Sequence, residues 1–174
     1  MRSRDEALAA IERAHREVHA LLAGISLDEL EEPATIGGGE WSAKDLVGHL
    51  TTWEEIALTS IDEWRAGERP QIEETFAADA TDERNADEVA RKSVEPASEL
   101  LSRFDEVHAE LCDRLRGISP QEWEQPAIYE HRAGRERTLG ALLGGILGSD
   151  SGPFEHFLAH QRDLRAFSGP RAPS

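Results

Sequence analysis

Apolar residues recur at three- and four-residue steps in four long segments, and this spacing predicts α-helices with one face turned to a core. The first segment runs from about Ser3 to Leu22, and Gly24 then favours a left-handed helix end. The second segment begins at Ser42 or Trp41. Because no stretch shows the short β-branched alternation of strands, the pattern predicts an all-α fold.

The third and fourth segments each contain a proline that interrupts the helical pattern. Helix three is expected to begin near Thr81, and Pro96 either kinks it or starts a fresh helix. The fourth segment begins near Thr138, and a kink or break is expected before Pro153, which would then restart the helix at its first position. Residues 68–80 have no period, so they predict a loop that is either a functional lid or mobile.

A weak internal repeat relates the two halves of the chain. The segment GISPQEWEQPA at residues 117–127 resembles GISLDELEEPA at residues 24–34, and the same offset places His15 over His108. A duplicated helical hairpin of this kind predicts a pseudo-twofold four-helix bundle with short extra helical turns. Residues 1–168 would form this single domain, and residues 169–174 a frayed, flexible tail.

A row of glycines at four-residue steps marks the fourth segment: Gly140, Gly144, Gly148 and Gly152. Each glycine costs about 0.8–1 kcal/mol relative to alanine in a helix interior, so the row needs compensation. Room for a ligand would provide it, and close approach by a neighbouring helix is the simpler explanation.

The candidate chemistry begins with a histidine in the apolar stripe of helix two. His49 shares its face with Leu46, Trp53 and Ile56, so its ring is expected to point inward. A buried imidazole needs partners for both ring nitrogens. A core histidine that is simply hydrogen bonded satisfies this need as well as a metal ligand does.

A second group of histidines lies near the C-terminus in the segment FEHFLAHQ. His156 and His160 are four residues apart, so they share one helical face with Cβ atoms about 5–6 Å apart. Together with His49 they would supply three neutral nitrogen ligands to a divalent metal, most plausibly Zn²⁺ or Ni²⁺. An HxxxH pair also arises by chance on many helices.

Acidic residues near these histidines are candidates to orient the ligands, as second-shell carboxylates commonly do. Asp45, one turn before His49, is the main candidate, and Glu54 is a weaker one that is more simply explained as a charge on the helix surface. Asp163, beside the HxxxH pair, is expected at the surface as well.

Five further side chains could take part in chemistry, and the sequence leaves alternatives open for two of them. His15 and His108 either line the same central cavity or hydrogen bond to each other. His19 and His131 are expected to be exposed, and Cys112 is expected to be a buried structural thiol rather than a nucleophile.

Composition narrows the classes of function. With 35 acidic and 19 basic residues the formal net charge is −16, so neither nucleic acid nor membrane partners are expected. One cysteine excludes an intramolecular disulfide, and neither a leader sequence nor a membrane-spanning segment is expected, because no charged start followed by an apolar stretch is seen and the longest apolar run is too short. These features predict a soluble, cytoplasmic protein. Phosphate-binding loops, dinucleotide fingerprints and serine nucleophile motifs are absent from the sequence.

Two motifs resemble a known family. The segment WSAKDLVGHLTTWE, with a tryptophan eight residues before its histidine, and the late segment PFEHFLAHQRDLRAF resemble the DinB/YfiT-like superfamily of four-helix-bundle proteins. The segments DERNADEV, SRFDEVHAEL, LRGIS and TLGALL are similar to the ClbS/DfsB branch in particular.

This resemblance implies a DinB-like bundle and, as in many superfamily members, a metal held by His49, His156 and His160. It implies either a metal-dependent hydrolase or a thiol S-transferase that acts on a small electrophilic or toxic molecule, the latter with a low-molecular-weight thiol as a further cofactor. The alternative is a metal-free ClbS/DfsB-like protein that binds a small molecule or confers resistance to it. Homodimerisation is suggested by family analogy alone.

Overall fold

The fold is built from α-helices, as the sequence predicts. A computed structural model describes residues 2–36, 41–129 and 137–169, and within these ranges β-structure is limited to isolated bridges such as the one between Ile36 and Trp41. The helices are α1 (Arg4–Leu22), α2 (Leu27–Glu31), α3 (Ala43–Arg65), α4 (Ile72–Ala77), α5 (Thr81–Lys92), α6 (Ala97–Gly117), α7 (Pro120–Trp123), α8 (Leu139–Ile146) and α9 (His156–Ser168).

Four helical positions surround the core, and the fourth position is shared by two helices. Helix α6 packs against both α1 and α3, while α8 packs against α3 and α9 packs against α1 and α3. Fully buried side chains such as Leu50, Phe104 and Leu164 fill the space between them. The expected four-helix bundle is therefore present, with the last helix divided into α8 and α9.

Serine residues cap the starts of several helices. Ser3, Ser26 and Ser42 each accept a hydrogen bond from the backbone three residues later and form complete capping boxes. Ser119 likewise accepts a hydrogen bond from the backbone N–H three residues later, at the start of the short helix α7, but without a complete capping box. The two short helices in the repeated GIS segments thus have matching starts, as the internal repeat indicates.

The structure decides two predictions for the segments on either side of α5. The predicted loop at residues 68–80 contains helix α4, whose Ile72 is buried and whose Phe76 stacks on Trp53 with ring centroids 6.2 Å apart. Two apolar residues are too few to establish a helical period in the sequence. Pro96 starts a fresh helix, because α5 ends at Lys92 and α6 begins at Ala97.

The break in the fourth segment lies where it was expected, but α9 starts later than predicted. Pro153 does not begin the helix, since Phe154 has a positive φ of 62° and α9 begins at His156. The His156 backbone N–H donates to the Leu147 carbonyl at a distance of 3.1 Å. This bond ties the first residue of α9 to the end of α8.

Close packing explains the glycine row where it is tightest. A Cβ atom at Gly140 would lie 2.4 Å from Nε1 of the buried Trp123, and one at Gly144 would lie 3.1 Å from Phe154. The aromatic rings of Trp123 and Phe154 stack with centroids 5.8 Å apart. Because these two glycines lack a Cβ atom, aromatic rings can pack directly against α8.

None of the described helices combines the length and apolar character needed to cross a bilayer. The predictions for His131 and for the tail beyond Gly169 concern residues outside the described ranges.

Candidate metal centre

The three predicted histidines come together between α3 and α9. His49 lies on the inward face of α3 and is 4% exposed, while His156 and His160 lie one turn apart at the start of α9. One ring nitrogen from each histidine lies within 4.8 Å of the others. Two segments that are distant in the sequence therefore present three imidazoles to one point.

The rings face one another edge to face. The centroid of His49 is 4.8 Å from that of His156 and 5.1 Å from that of His160, and the two α9 rings are also 5.1 Å apart. The Nε2 atoms of His49 and His156 are 3.0 Å apart. Two nitrogens bound to one tetrahedral zinc ion would be about 3.3 Å apart, so this spacing fits shared ligation.

The surroundings hold all three imidazoles in the neutral form. Burial, followed by the nearby His160 and Lys92, lowers the pKa of His49 to about 3. Burial and the two other rings hold the pKa of His156 well below its ordinary value. Burial also lowers the pKa of His160, although Asp163 opposes this shift. Neutral imidazoles carry the lone pairs that a metal ligand requires.

One ring nitrogen of this cluster is left without a partner. Nδ1 of His156 is buried and has no hydrogen-bond partner among the described residues. A buried polar atom in this state is unfavourable by about 1–3 kcal/mol. The donor set and its neutral charge fit a divalent cation bound at Nε2 of His156, the nitrogen that faces His49, whereas Nδ1 points away from that position and does not bear on the ion.

Aromatic side chains that sequence reasoning did not assign to the site surround the histidines. The Trp41 ring lies 5.0 Å from His49, and the Trp53 ring lies 5.7 Å from His156. The Trp53 indole N–H donates to Oδ1 of Asn85 on α5. The sequence signal for Trp53 was its place one turn after His49 on the same face, which is also what a core residue would show.

The two acidic candidates have other partners. The Asp45 carboxylate accepts hydrogen bonds from the N–H and hydroxyl of Ser42, at 2.9 and 2.8 Å, and so completes the capping box of α3. Glu54 is not a surface charge, because it is 1% exposed and its Oε1 is 2.9 Å from Nδ1 of His108. Asp163 is half-buried.

His15 and His108 stack rather than hydrogen bond to each other. Their centroids are 3.7 Å apart and their planes are nearly parallel, at 5°. Nε2 of His15 and Nε2 of His19 both lie near Oδ1 of Asp105, and the His19 side chain is partly exposed. Cys112 is buried, as predicted, and lies next to His108.

Comparison with known proteins identifies relatives of the whole fold. A family model described as the DinB superfamily matches residues 10–148. The colibactin self-resistance protein ClbS, solved in complex with a dsDNA, has a TM-score of 0.76 and 19% identity, covering 99% of each chain. No curated protein matches the sequence.

Two further solved structures share the fold at lower identity. An uncharacterised protein from Escherichia coli UTI89 has a TM-score of 0.73 and 15% identity, covering 97% of this chain and 94% of that chain. A protein from Streptococcus pneumoniae has a TM-score of 0.74 and 12% identity, covering 95% and 90%. At these identities the likeness shows the fold alone.

The exclusion of nucleic acid partners, drawn from the net charge of −16, is wrong. ClbS has this fold and was solved in complex with a dsDNA. A net charge sums the whole chain, whereas contacts to phosphates depend on the basic side chains of one local surface. Composition alone therefore does not exclude a nucleic acid partner for a chain of this fold.

Proposed function

The chain belongs to the DinB superfamily, and from this membership we propose that it acts on a small electrophilic or toxic molecule at a divalent metal held by His49, His156 and His160. The reaction is either hydrolysis or transfer of a low-molecular-weight thiol. The observation that carries the proposal is the convergence of three neutral imidazole rings between α3 and α9.

In this proposal, two helices hold the three histidine rings in place as metal ligands. His49 is fixed by the long helix α3, and the α9 pair is fixed by the bond from the His156 N–H to the Leu147 carbonyl. The three rings would supply three ligands to the metal, the usual protein contribution to an open catalytic site. Zinc or nickel suits this donor set. When bound, the metal supplies Lewis-acid activation.

The aromatic residues around the histidines position the substrate and limit access by water. Trp53 lies between the metal ligands and α4, since it stacks on Phe76 and its N–H is held by Asn85. Trp41 also lies against His49. Their apolar faces favour a small, weakly polar molecule over a highly charged one.

Metal titration of the purified, chelator-treated protein tests the proposal. We expect one Zn²⁺ or Ni²⁺ ion per chain by calorimetry, with binding weakened at least about 100-fold in His160→Ala because one of three ligands is lost. His19→Ala serves as a matched control, since it removes a histidine from the separate His15, His19 and Asp105 cluster. Equal loss of affinity in both variants would place the metal elsewhere.

The reaction class is tested by product mass. The metal-loaded protein is incubated with an epoxide, with and without a low-molecular-weight thiol such as mycothiol or bacillithiol. Addition of water indicates the hydrolase, and addition of the thiol indicates the transferase. Loss of either product in His49→Ala would link the reaction to the histidine cluster.

A metal-free binding or resistance protein of ClbS/DfsB type is the second candidate. Two observations favour it: the similarity in fold to the colibactin self-resistance protein ClbS, and the 3.0 Å contact between His49 and His156, which a neutral pair can make as a hydrogen bond. In this case calorimetry gives no metal binding, and a chelator leaves the thermal unfolding temperature unchanged.

A further inference from the structure

A second group of reactive side chains lies between α1, α3 and α6. Sγ of Cys112 is 3.4 Å from Nε2 of His108, and Nδ1 of the same imidazole is 2.9 Å from Oε1 of Glu54. The imidazole therefore lies between the thiol and the carboxylate and is hydrogen bonded to both. A nucleophile next to a base that a third group orients is the arrangement that activates cysteine and serine nucleophiles.

The arrangement is held rigidly by helical spacing and burial. His108 and Cys112 are four residues apart on α6, so they share one face, while Glu54 reaches them from α3. Glu54 is 1% exposed, and its second oxygen, Oε2, has no hydrogen-bond partner among the described residues. On the other side, His15 of α1 stacks on the His108 ring.

A cavity of about 360 Å³ opens onto this group from the surface. Both Cys112 and His108 line it, together with His15 and the charged side chains Glu12, Arg16 and Arg116. Arg116 is hydrogen bonded to Glu12. A small molecule in this cavity would thus meet the sulfur atom at its inner wall and polar groups at its mouth.

We propose that Cys112, His108 and Glu54 form a second reactive site, at which the Cys112 thiolate adds to small α,β-unsaturated carbonyl compounds. Glu54 is the positioning residue, because it orients the His108 ring and contacts no substrate atom. This site is separate from the histidine cluster of α3 and α9 and shares none of its residues.

The step needs no oxidant and no leaving group. The proton of the Cys112 thiol passes to Nε2 of His108, which gives a thiolate beside an imidazolium. The sulfur lone pair forms a bond to the β-carbon of the acceptor, and the C=C electron pair moves to the α-carbon. The α-carbon then takes the proton from Nε2 of His108, so the product is a neutral thioether on Cys112.

The charges around His108 support an imidazolium in this position. Burial by itself would lower the pKa of His108, but the hydrogen bonds with Cys112 and Glu54 outweigh it and raise the pKa to about 9. Burial raises the pKa of Glu54, and its hydrogen bond with His108 opposes that shift. His15 of α1 also faces the ring and in turn lies near Asp105 and His19. Burial, followed by the neighbouring His108, lowers the pKa of His15 to about 3, so His15 stays neutral.

The test is the rate of alkylation by N-ethylmaleimide, read by intact mass, because Cys112 is the only cysteine of the chain. A denatured thiol with an ordinary pKa near 8.5 is only about 0.3% thiolate at pH 6, and its rate rises about tenfold per pH unit. We expect the native protein to react at least about 10-fold faster than the denatured chain at pH 6, with a nearly flat rate between pH 6 and pH 8.

Three variants separate the proposed site from a structural thiol. His108→Gln and Glu54→Gln should each slow alkylation at pH 6 and restore the steep pH dependence, while His160→Ala should leave the rate unchanged. A native rate at or below that of the denatured chain, for both N-ethylmaleimide and the smaller acrylamide, would overturn the proposal. So would a native pH profile as steep as that of the denatured chain, a result that requires no variant to fold.

Discussion

Gly140 lies in α8 directly against the indole ring of Trp123, and this contact allows a prediction for a single methyl group. A Cβ atom at this position would lie 2.4 Å from Nε1 of Trp123, whose N–H donates to the Arg2 carbonyl. Gly140→Ala should therefore lower the free energy of unfolding by about 1–3 kcal/mol, even though alanine is the better helix former. Urea unfolding followed by circular dichroism measures the change.

Gly145 in the same helix provides the matched control. Its position is exposed, and an added Cβ atom would meet only the end of the flexible Arg137 side chain at 3.1 Å. Gly145→Ala should thus be neutral or stabilise the protein by up to about 1 kcal/mol. If both variants were stabilised alike, close packing against Trp123 would not be the reason for Gly140.

For single residues, the sequence predicted which side chains face the core better than it predicted which polar groups they contact. The apolar period placed His49 inward correctly, and it would have placed Glu54 near the core if its charge had not favoured a surface position. The partner of Glu54 is His108, which lies on a different helix. The spacing of apolar residues along one helix does not show which polar group of another helix lies opposite. Contacts between polar side chains of different helices could therefore not be predicted.

The N-terminus of α3 carries a prediction at the scale of one helix. Asp45 accepts hydrogen bonds from the N–H and hydroxyl of Ser42, so it stabilises the helix start rather than orienting His49. Asp45→Ala should lower the free energy of unfolding by about 1 kcal/mol through loss of the capping box. Metal affinity should stay within about twofold of the parent protein.

Unfolding in urea and calorimetric metal titration of the same Asp45→Ala sample test both parts. Ser42→Ala is the control, because it disrupts the same capping box without removing a carboxylate. A loss of metal affinity confined to Asp45→Ala would restore Asp45 as a residue that positions the ligands.

The starts of the serine-capped helices were predictable, and the start of α9 was not. Serine caps are local signals, since the cap and its partner lie three residues apart in the sequence. The connection depends on Phe154, which has a φ of 62° while its ring packs on Trp123. A phenylalanine in the left-handed backbone conformation is stabilised when its ring packs on a residue distant in the sequence, and the local sequence does not reveal such a contact.

At the scale of the whole molecule, the fold and the convergence of the three histidines followed from period and resemblance. Helices α1, α3 and α6, which carry clear apolar stripes, take part in most of the packing between helices. The classes of binding partner could not be predicted from charge, because a net charge of −16 says nothing about how the charges are distributed over the surface.

The stability of the whole molecule should depend on pH through groups whose pKa changes on folding. Burial, followed by His108 and His19, lowers the pKa of His15 to about 3, so between pH 3 and 6.5 the unfolded chain binds a proton that the folded chain does not. Stability from this group is therefore lost as the pH falls through that range. Burial alone would lower the pKa of His108, but hydrogen bonds with Cys112 and Glu54 outweigh it and raise the pKa to about 9. In the proposed site the proton on the His108 ring is the one that Cys112 gives up, so the pair binds about as many protons in the folded as in the unfolded chain between pH 6.5 and 8.5 and adds little slope there.

The free energy of unfolding should accordingly fall as the pH drops below 6.5, with each titrating proton contributing a slope of up to about 1.4 kcal/mol per pH unit. His15→Gln should flatten this slope by one proton, while His108→Gln should keep most of it, because burial is the larger cause of the pKa shift at His15. Urea unfolding at half-unit pH steps gives the slope for each protein. Because the slopes and not the absolute stabilities are compared, the loss of packing in either variant does not obscure the result. An unchanged slope in His15→Gln would mean that the stacked pair of His15 and His108 does not retain its contacts in solution.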